Sequence, residues 1–184
     1  MRTVLGWLIG IPVALLLGNG IEWCFHKYVL HGPGKRRRSF WNFHWTQHHR
    51  EAQCRNMRDA DYEDGSLLAW NSRTKELAAL TAATVVWVPV AIVARGFVQA
   101  VAAGLIYAAV RYCYIHRRAH RDPEWARKRL PWHVDHHLGP NPDANWGITS
   151  PWFDIIMGTR ELYIGTTRES ADRTTSPGHG STRV

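Results

Sequence analysis

The stretch VLGWLIGIPVALLLGNGIEWC, Val4 to Cys24, is apolar over almost its whole length and runs through Phe25 into HKYVLH, His26 to His31. A helix needs about 20 such residues to cross the hydrocarbon core of a bilayer. Leu77 to Ala94 and Phe97 to Ile115 are two further runs of this kind. The average hydropathy looks soluble only because these runs are diluted by polar segments. The first run lacks a basic start beyond Arg2 and a small-residue cleavage site, so it reads as a retained span and not a secretory signal. The expected fold class is all-α: three membrane helices with shorter helices closing over one end.

Three spans fix a simple topology. The first ends at His26 and His31, and the segment from Gly32 to Lys75 carries His44, His48 and His49. The second span leaves that side and turns at Arg95-Gly96, and the third returns to His116 and His120. His133, His136 and His137 follow on the same side. The chain has 23 Lys+Arg against 15 Asp+Glu, and all the basic residues except Arg2 and Arg95 fall on the histidine side or its margin. Such an excess marks the cytoplasmic face, and it accounts for the net charge without a nucleic-acid partner. The run Lys35 to Arg38 suits anionic headgroups. Trp41, Trp45, Trp70, Trp125, Trp132 and Trp152 suit a cap resting on the bilayer. Cys24, Cys54 and Cys113 match no disulfide or zinc-finger pattern and read as packing residues. Residues 1–165 form one membrane domain in this reading. Residues 166–184, poor in apolar side chains, are expected to be disordered, with His179 unligated.

The unusual feature is the histidines: 11 in the chain, ten of them in four tight groups. These are His26-KYVL-His31, His44-WTQ-His48-His49, His116-RRA-His120 and His133-VD-His136-His137. Residues four apart on a helix face the same way, so His44/His48, His116/His120 and His133/His137 could each converge on a metal. Adjacent histidines point about 100° apart, so one doublet can serve two sites. His26 and His31 diverge by about 140° on a regular helix. Either they serve different ions, or the helix loosens before Gly32-Pro33-Gly34. Two neighbouring metals explain the spacing better than one. Imidazole suits Zn, Cu, Fe and Ni. A bis-histidine haem explains neither doublet, and the His-Glu-x-x-His helix of zinc proteases is absent. A transporter would need polar groups inside the spans, where the first offers only Asn19 and Glu22 and the other two have no midplane His, Asp or Glu.

Together the four groups resemble the histidine boxes of the fatty acid hydroxylase/sterol desaturase superfamily. The stretch HVDHHLGPNPDANWGITSPWFDIIMGT (residues 133–159) resembles that family's ending, in which HxxHH is followed by Asn-aromatic-Gly, Asp and Gly-Thr. HKYVLHG also resembles the first box of the bacterial carotenoid hydroxylases. The second box here, HxxxHH, departs from the HxxHH more usual in the hydroxylases. The resemblance implies a non-haem centre of two metal ions, normally iron, with zinc able to replace it in purified protein. Its ligands would be His26, His31, His44, His48, His49, His116, His120, His133, His136 and His137. The implied reaction is O2-dependent attack on a C–H bond of a membrane lipid, fatty acyl or terpenoid, with electrons from a separate ferredoxin or cytochrome-type reductase. Carotenoid ring hydroxylation and lipid desaturation are the alternatives within that chemistry. A non-catalytic metal-binding membrane protein is the alternative of another class. Asn145 matches the family's Asn after the last box and is a candidate supporting group. Glu22, four residues before His26 on the same helical face, is a candidate to orient a ligating imidazole. Asp135 and the acidic run Asp59 to Asp64 read as solvated, and Asp122 before Pro123 reads as a helix cap.

Overall fold

The computed structural model describes residues 2–175, and every regular element among them is helical. Three helices are long and apolar enough to cross a membrane. The first is α1 (Arg2–Phe25), continued by a turn of wider helix at His26–Leu30. After the short helices α2 (Arg50–Cys54) and α3 (Ala60–Glu63), the second is made of α4 (Ser72–Val85) and α5 (Trp87–Val93). The helix breaks between them because Pro89 lacks an N–H and its ring meets the carbonyl four residues back, that of Val85. The third is α6 (Gly96–Arg121), entered through Gly96 at φ +61°.

α1 and α6 run parallel and touch through small residues spaced four apart. A Cβ added at Gly10 would lie 2.7 Å from Ala100 Cβ, and one at Gly104 would lie 2.4 Å from Ala14 Cβ. Gly18 faces Ala108 in the same way, and Gly6 faces the backbone at Phe97. Apolar burial cannot hold helices together in lipid, so close backbone approach and dispersion do. The ladder fixes the register of the two helices whose ends carry His26 and His116.

At that end sits a cap with its own core of Met57, Ala119, Ala126, Leu130 and Val134. It joins α6 to α7 (Pro123–Arg129) and α8 (Pro131–Leu138). Asp122 caps α7 by accepting from Trp125 N at 3.1 Å, as the sequence predicts. The cap's outer loops bare Leu67, Leu68 and Trp70, and the short helix α9 (Trp152–Ile156) bares Trp152, Ile155 and Ile156, as a surface lying against lipid would.

Two expectations from the sequence fail here. Thr167–Thr175 forms a helix, α10, where disorder was expected. Glu169 supplies what apolar burial does not: it accepts from Gly165 N and pairs with Arg127 and Arg173. His179 lies outside the described residues. Asp135 is buried, not solvated, and ties the chain after the last histidine group. One of its oxygens accepts from the backbone N–H of Tyr163 and Ile164, and the other pairs with Arg160 at 2.6 Å.

Candidate metal centre

All ten clustered histidines are buried, and they meet in one place at the shared end of α1, α4 and α6. Nine fall into two groups in which ligand atoms lie within 4.8 Å of one another. One group is His26, His31, His44, His49 and His136; the other is His48, His116, His120 and His137. His133 stands beside the second group, its Nε2 3.1 Å from His120 Nε2. Each doublet is split between the groups, as the 100° offset predicts. His48 and His49 part company, and so do His136 and His137.

The pairing within helices differs from a regular α-helical reading at two places. His44 and His48, four apart, join different groups, whereas His44 and His49, five apart, join the same one. His26 and His31, also five apart, share that group. Both segments, His26–Leu30 and His44–His49, are π-helical, and His31 N donates to His26 O at 3.0 Å. The i→i+5 bond widens the turn and brings residues five apart to one side. On the regular helix α6, His116 and His120 stay together at i, i+4.

Five of the imidazoles are held by their outer nitrogens. His26 Nδ1 donates to Trp146 O, His136 Nδ1 to Ala144 O and His120 Nδ1 to Met57 O, each at 2.7 Å. A carbonyl can only accept, so these rings carry their proton on Nδ1 and turn the Nε2 lone pair inward. His48 Nδ1 donates to Asp59 at 2.7 Å and His116 Nδ1 to Glu76 at 3.0 Å. Glu76 also accepts from the Tyr62 and Tyr112 hydroxyls. Burial holds His44, His49, His133 and His137 below the ordinary imidazole value and His136 down to about 4, so these rings are neutral at pH 7, the form that ligates metal.

The carbonyls are aimed by backbone that L-residues rarely adopt. Among the described residues, the non-glycine positions of positive φ are Asn56, Met57 and Asn145. Met57 offers its own carbonyl to His120, and Asn145 lies between the carbonyls of Ala144 and Trp146. Strained backbone of this kind persists where surrounding contacts over-determine it. Asn145 Oδ1 accepts from Arg160 and from Glu161 N, and its own N–H donates to Thr159 O. It therefore aims two carbonyls at two histidines and does not itself face the centre. Asp154 fixes the same loop by accepting from Trp146 N, Gly147 N, Trp23 Nε1 and Thr159 Oγ1. Among the described residues, Glu22 reaches no histidine. It accepts from Ile148 N and from the N–H and hydroxyl of Thr149, clasping α1 to that loop.

The donor set fits two metal ions. Among the described residues, His48 Nε2, His116 Nε2 and both nitrogens of His137 are buried without a hydrogen-bond partner. In His48 and His116 the carboxylates already claim the Nδ1 protons, so the orphaned atoms are lone pairs. Leaving such groups unpaired costs about 1–3 kcal/mol each, and a cation between them removes that cost. Neither Asp59 nor Glu76 stood out in the sequence. Asp59 reads as part of a solvated acidic run, yet it is buried, caps α3 (Ala60–Glu63) with one oxygen and holds His48 with the other. Glu76 falls one residue before the apolar run of the second span.

The fatty acid hydroxylase family profile matches residues 11–159. The chain belongs to that family. Neither the curated proteins nor the solved structures contain a significant match.

Proposed function

We propose that this member of the fatty acid hydroxylase family is a membrane-bound, two-iron oxygenase that hydroxylates an unactivated C–H bond of a membrane lipid. The observation that carries the reading is a cavity of about 390 Å³ leading from between the spans to His26. Its walls are Gly18, Ile21, Ala79, Ala83, Leu105 and Ala108 from all three spans, with Glu22, Glu76 and Tyr112 near its polar end. The volume falls in the range of small-ligand sites. Apolar walls recognise a hydrocarbon chain, which has no polar group to offer, and they exclude water from the place where it would react.

The two histidine groups would hold the metals, which together with O2 and two electrons supply an oxidant strong enough for a C–H bond. The protein's part is positional. The acceptors at Trp146, Ala144, Met57, Asp59 and Glu76 keep protons on Nδ1 and lone pairs inward. The α1–α6 ladder holds the cavity wall against the centre. A separate ferredoxin or cytochrome-type reductase supplies the electrons, and the positive flank of the spans supports placing the centre on the cytoplasmic face.

The test is lipid and carotenoid mass spectrometry on membranes from cells with and without the gene, combined with metal analysis of anaerobically purified protein. An added oxygen atom in one lipid class and about two metal ions per chain are expected. Loss of two hydrogens without added oxygen would make the enzyme a desaturase. No change in any lipid would favour a metal-binding protein without catalysis.

A further inference from the structure

A second concavity, of about 810 Å³, lies beside α4 and α6 and shares only Glu76 with the apolar cavity among their lining residues. Five guanidinium groups line it: Arg58, Arg73, Arg117, Arg118 and Arg121. Among the described residues, only Arg58 has a carboxylate within ion-pair distance, Glu63 at 2.9 Å. Arg73 is 9% exposed and donates to the carbonyls of Asp64 and Ser66. Arg117 donates to Tyr62 O, and Arg118 lies over the Trp125 ring at 4.4 Å. The acids on the lining are engaged elsewhere: Glu76 by two tyrosines and His116, and Asp122 in capping α7. A buried guanidinium that meets only carbonyls, with four others on the same wall, gains from an anion that arrives from outside.

The occupant's shape follows from the grading of the wall. Val110, Tyr114, Arg117 and Arg121 succeed one another at i, i+4, i+7 and i+11 along α6, so one stripe passes from apolar to cationic at the end of a span. Leu77 of the second span continues the apolar part. A free anion would use only the upper half of such a groove, and a folded protein would meet a surface rather than a cleft between spans. We propose that the groove binds the phosphate of an anionic phospholipid, with its chains descending along Leu77 and Val110, as a lipid distinct from the substrate. Arginine suits this ligand because its planar fork matches phosphate oxygens. The bound headgroup would neutralise the end of α6 one residue layer from His116, through Tyr62 and Glu76.

Thermal unfolding of the metal-loaded protein in neutral detergent tests this, with phosphatidylglycerol, phosphatidylcholine or inorganic phosphate added. Phosphatidylglycerol at ten times its dissociation constant should raise the midpoint by roughly 4 °C, and the other two should not. The rise should vanish in Arg118→Gln/Arg121→Gln, return only in part in Arg118→Lys/Arg121→Lys, which keep the charge without the fork, and survive in Arg36→Gln/Arg37→Gln/Arg38→Gln. Native mass spectrometry should count one retained phosphatidylglycerol fewer in the glutamine variant, a reading that holds even if its stability changes. An equal rise with phosphatidylcholine or inorganic phosphate would overturn the proposal, as would a rise that persists in the glutamine variant. Protection of the groove by an acidic ferredoxin, with none by phosphatidylglycerol, would make it a protein dock and also overturn it.

Discussion

The two histidine groups use one side chain and hold it in two ways. In the five-histidine group, His26 and His136 lean on peptide carbonyls, and the nearest carboxylate, Asp143, is half exposed, 3.5 Å from His31 and paired with Lys35. In the four-histidine group, His120 also leans on a carbonyl, that of Met57, but His48 and His116 lean on carboxylates, Asp59 buried in the cap and Glu76 at the start of α4. A carboxylate on the far nitrogen pushes electron density through the ring and makes Nε2 the better donor. It also brings negative charge toward a cation in a medium that screens poorly. The five-histidine group has one more imidazole but no buried carboxylate behind it. Two ions of the same element would therefore differ in affinity, with the four-histidine group the tighter.

The largest expected effect comes from removing one ligand from each group. His48→Ala and His49→Ala alter adjacent residues that serve different groups. Each should lower metal content from about two ions per chain to about one and abolish formation of oxidised lipid, since chemistry that needs two ions fails with either missing. X-ray absorption on the two variants should give different average ligand numbers and distances around the remaining ion. Identical spectra, or both ions lost from both variants, would erase the distinction between the groups.

A smaller effect is expected at the carboxylates. Asp59→Asn should weaken metal binding by about 10–100-fold at the four-histidine group and leave the other unchanged. Glu76→Gln should do the same; its one amide oxygen can still accept from one of the Tyr62 and Tyr112 hydroxyls, and the other must turn to accept from the NH2. Asp143→Asn is the matched change on the other side and should alter affinity little, because exposed pairs contribute little. Stepwise chelator titration reads both affinities in one experiment. If Asp143→Asn costs as much as Asp59→Asn, the charge argument fails.

How much of this was legible in sequence follows from where the physics is local. The spans were plain from apolar length, and the split doublets from the angle between neighbours on a helix. The small-residue ladder, Gly6, Gly10, Ala14 and Gly18 against Ala100, Gly104 and Ala108, was written in the sequence at a spacing of four and passed unread. The π-helical turns were not written there in any simple code: spacing of five says only that a regular helix will not serve. Asp59 and Glu76 stayed hidden because their partners are 11 and 40 residues away, and such meetings are set by tertiary packing. Glu22 shows the same limit. Its helical face points toward the histidine end, but the group it meets, the backbone at Ile148 and Thr149, comes from the far end of the chain.

The smallest effect concerns how the five-histidine group is aimed. Asn145 sits at φ +59° between the two carbonyls that accept from His26 and His136. Asparagine tolerates that conformation, whereas alanine there costs about 1–2 kcal/mol. Asn145→Ala would relieve the strain by swinging the carbonyls of Ala144 and Trp146, and both rings would lose their fixed tautomer. Asn145→Gly keeps the turn and forfeits only the contacts of Oδ1 with Arg160 and Glu161, which brace the loop from outside. Measured in a His48→Ala background, where the four-histidine group is already disabled, the alanine variant should bind the remaining ion roughly ten-fold more weakly, as 1–2 kcal/mol implies. The glycine variant should lie close to the parent. Glycine as weak as alanine would mean that the side chain, not the backbone angle, matters. A matching loss at the four-histidine group, measured with His49→Ala, would mean that the loop supports the whole cap and not one metal.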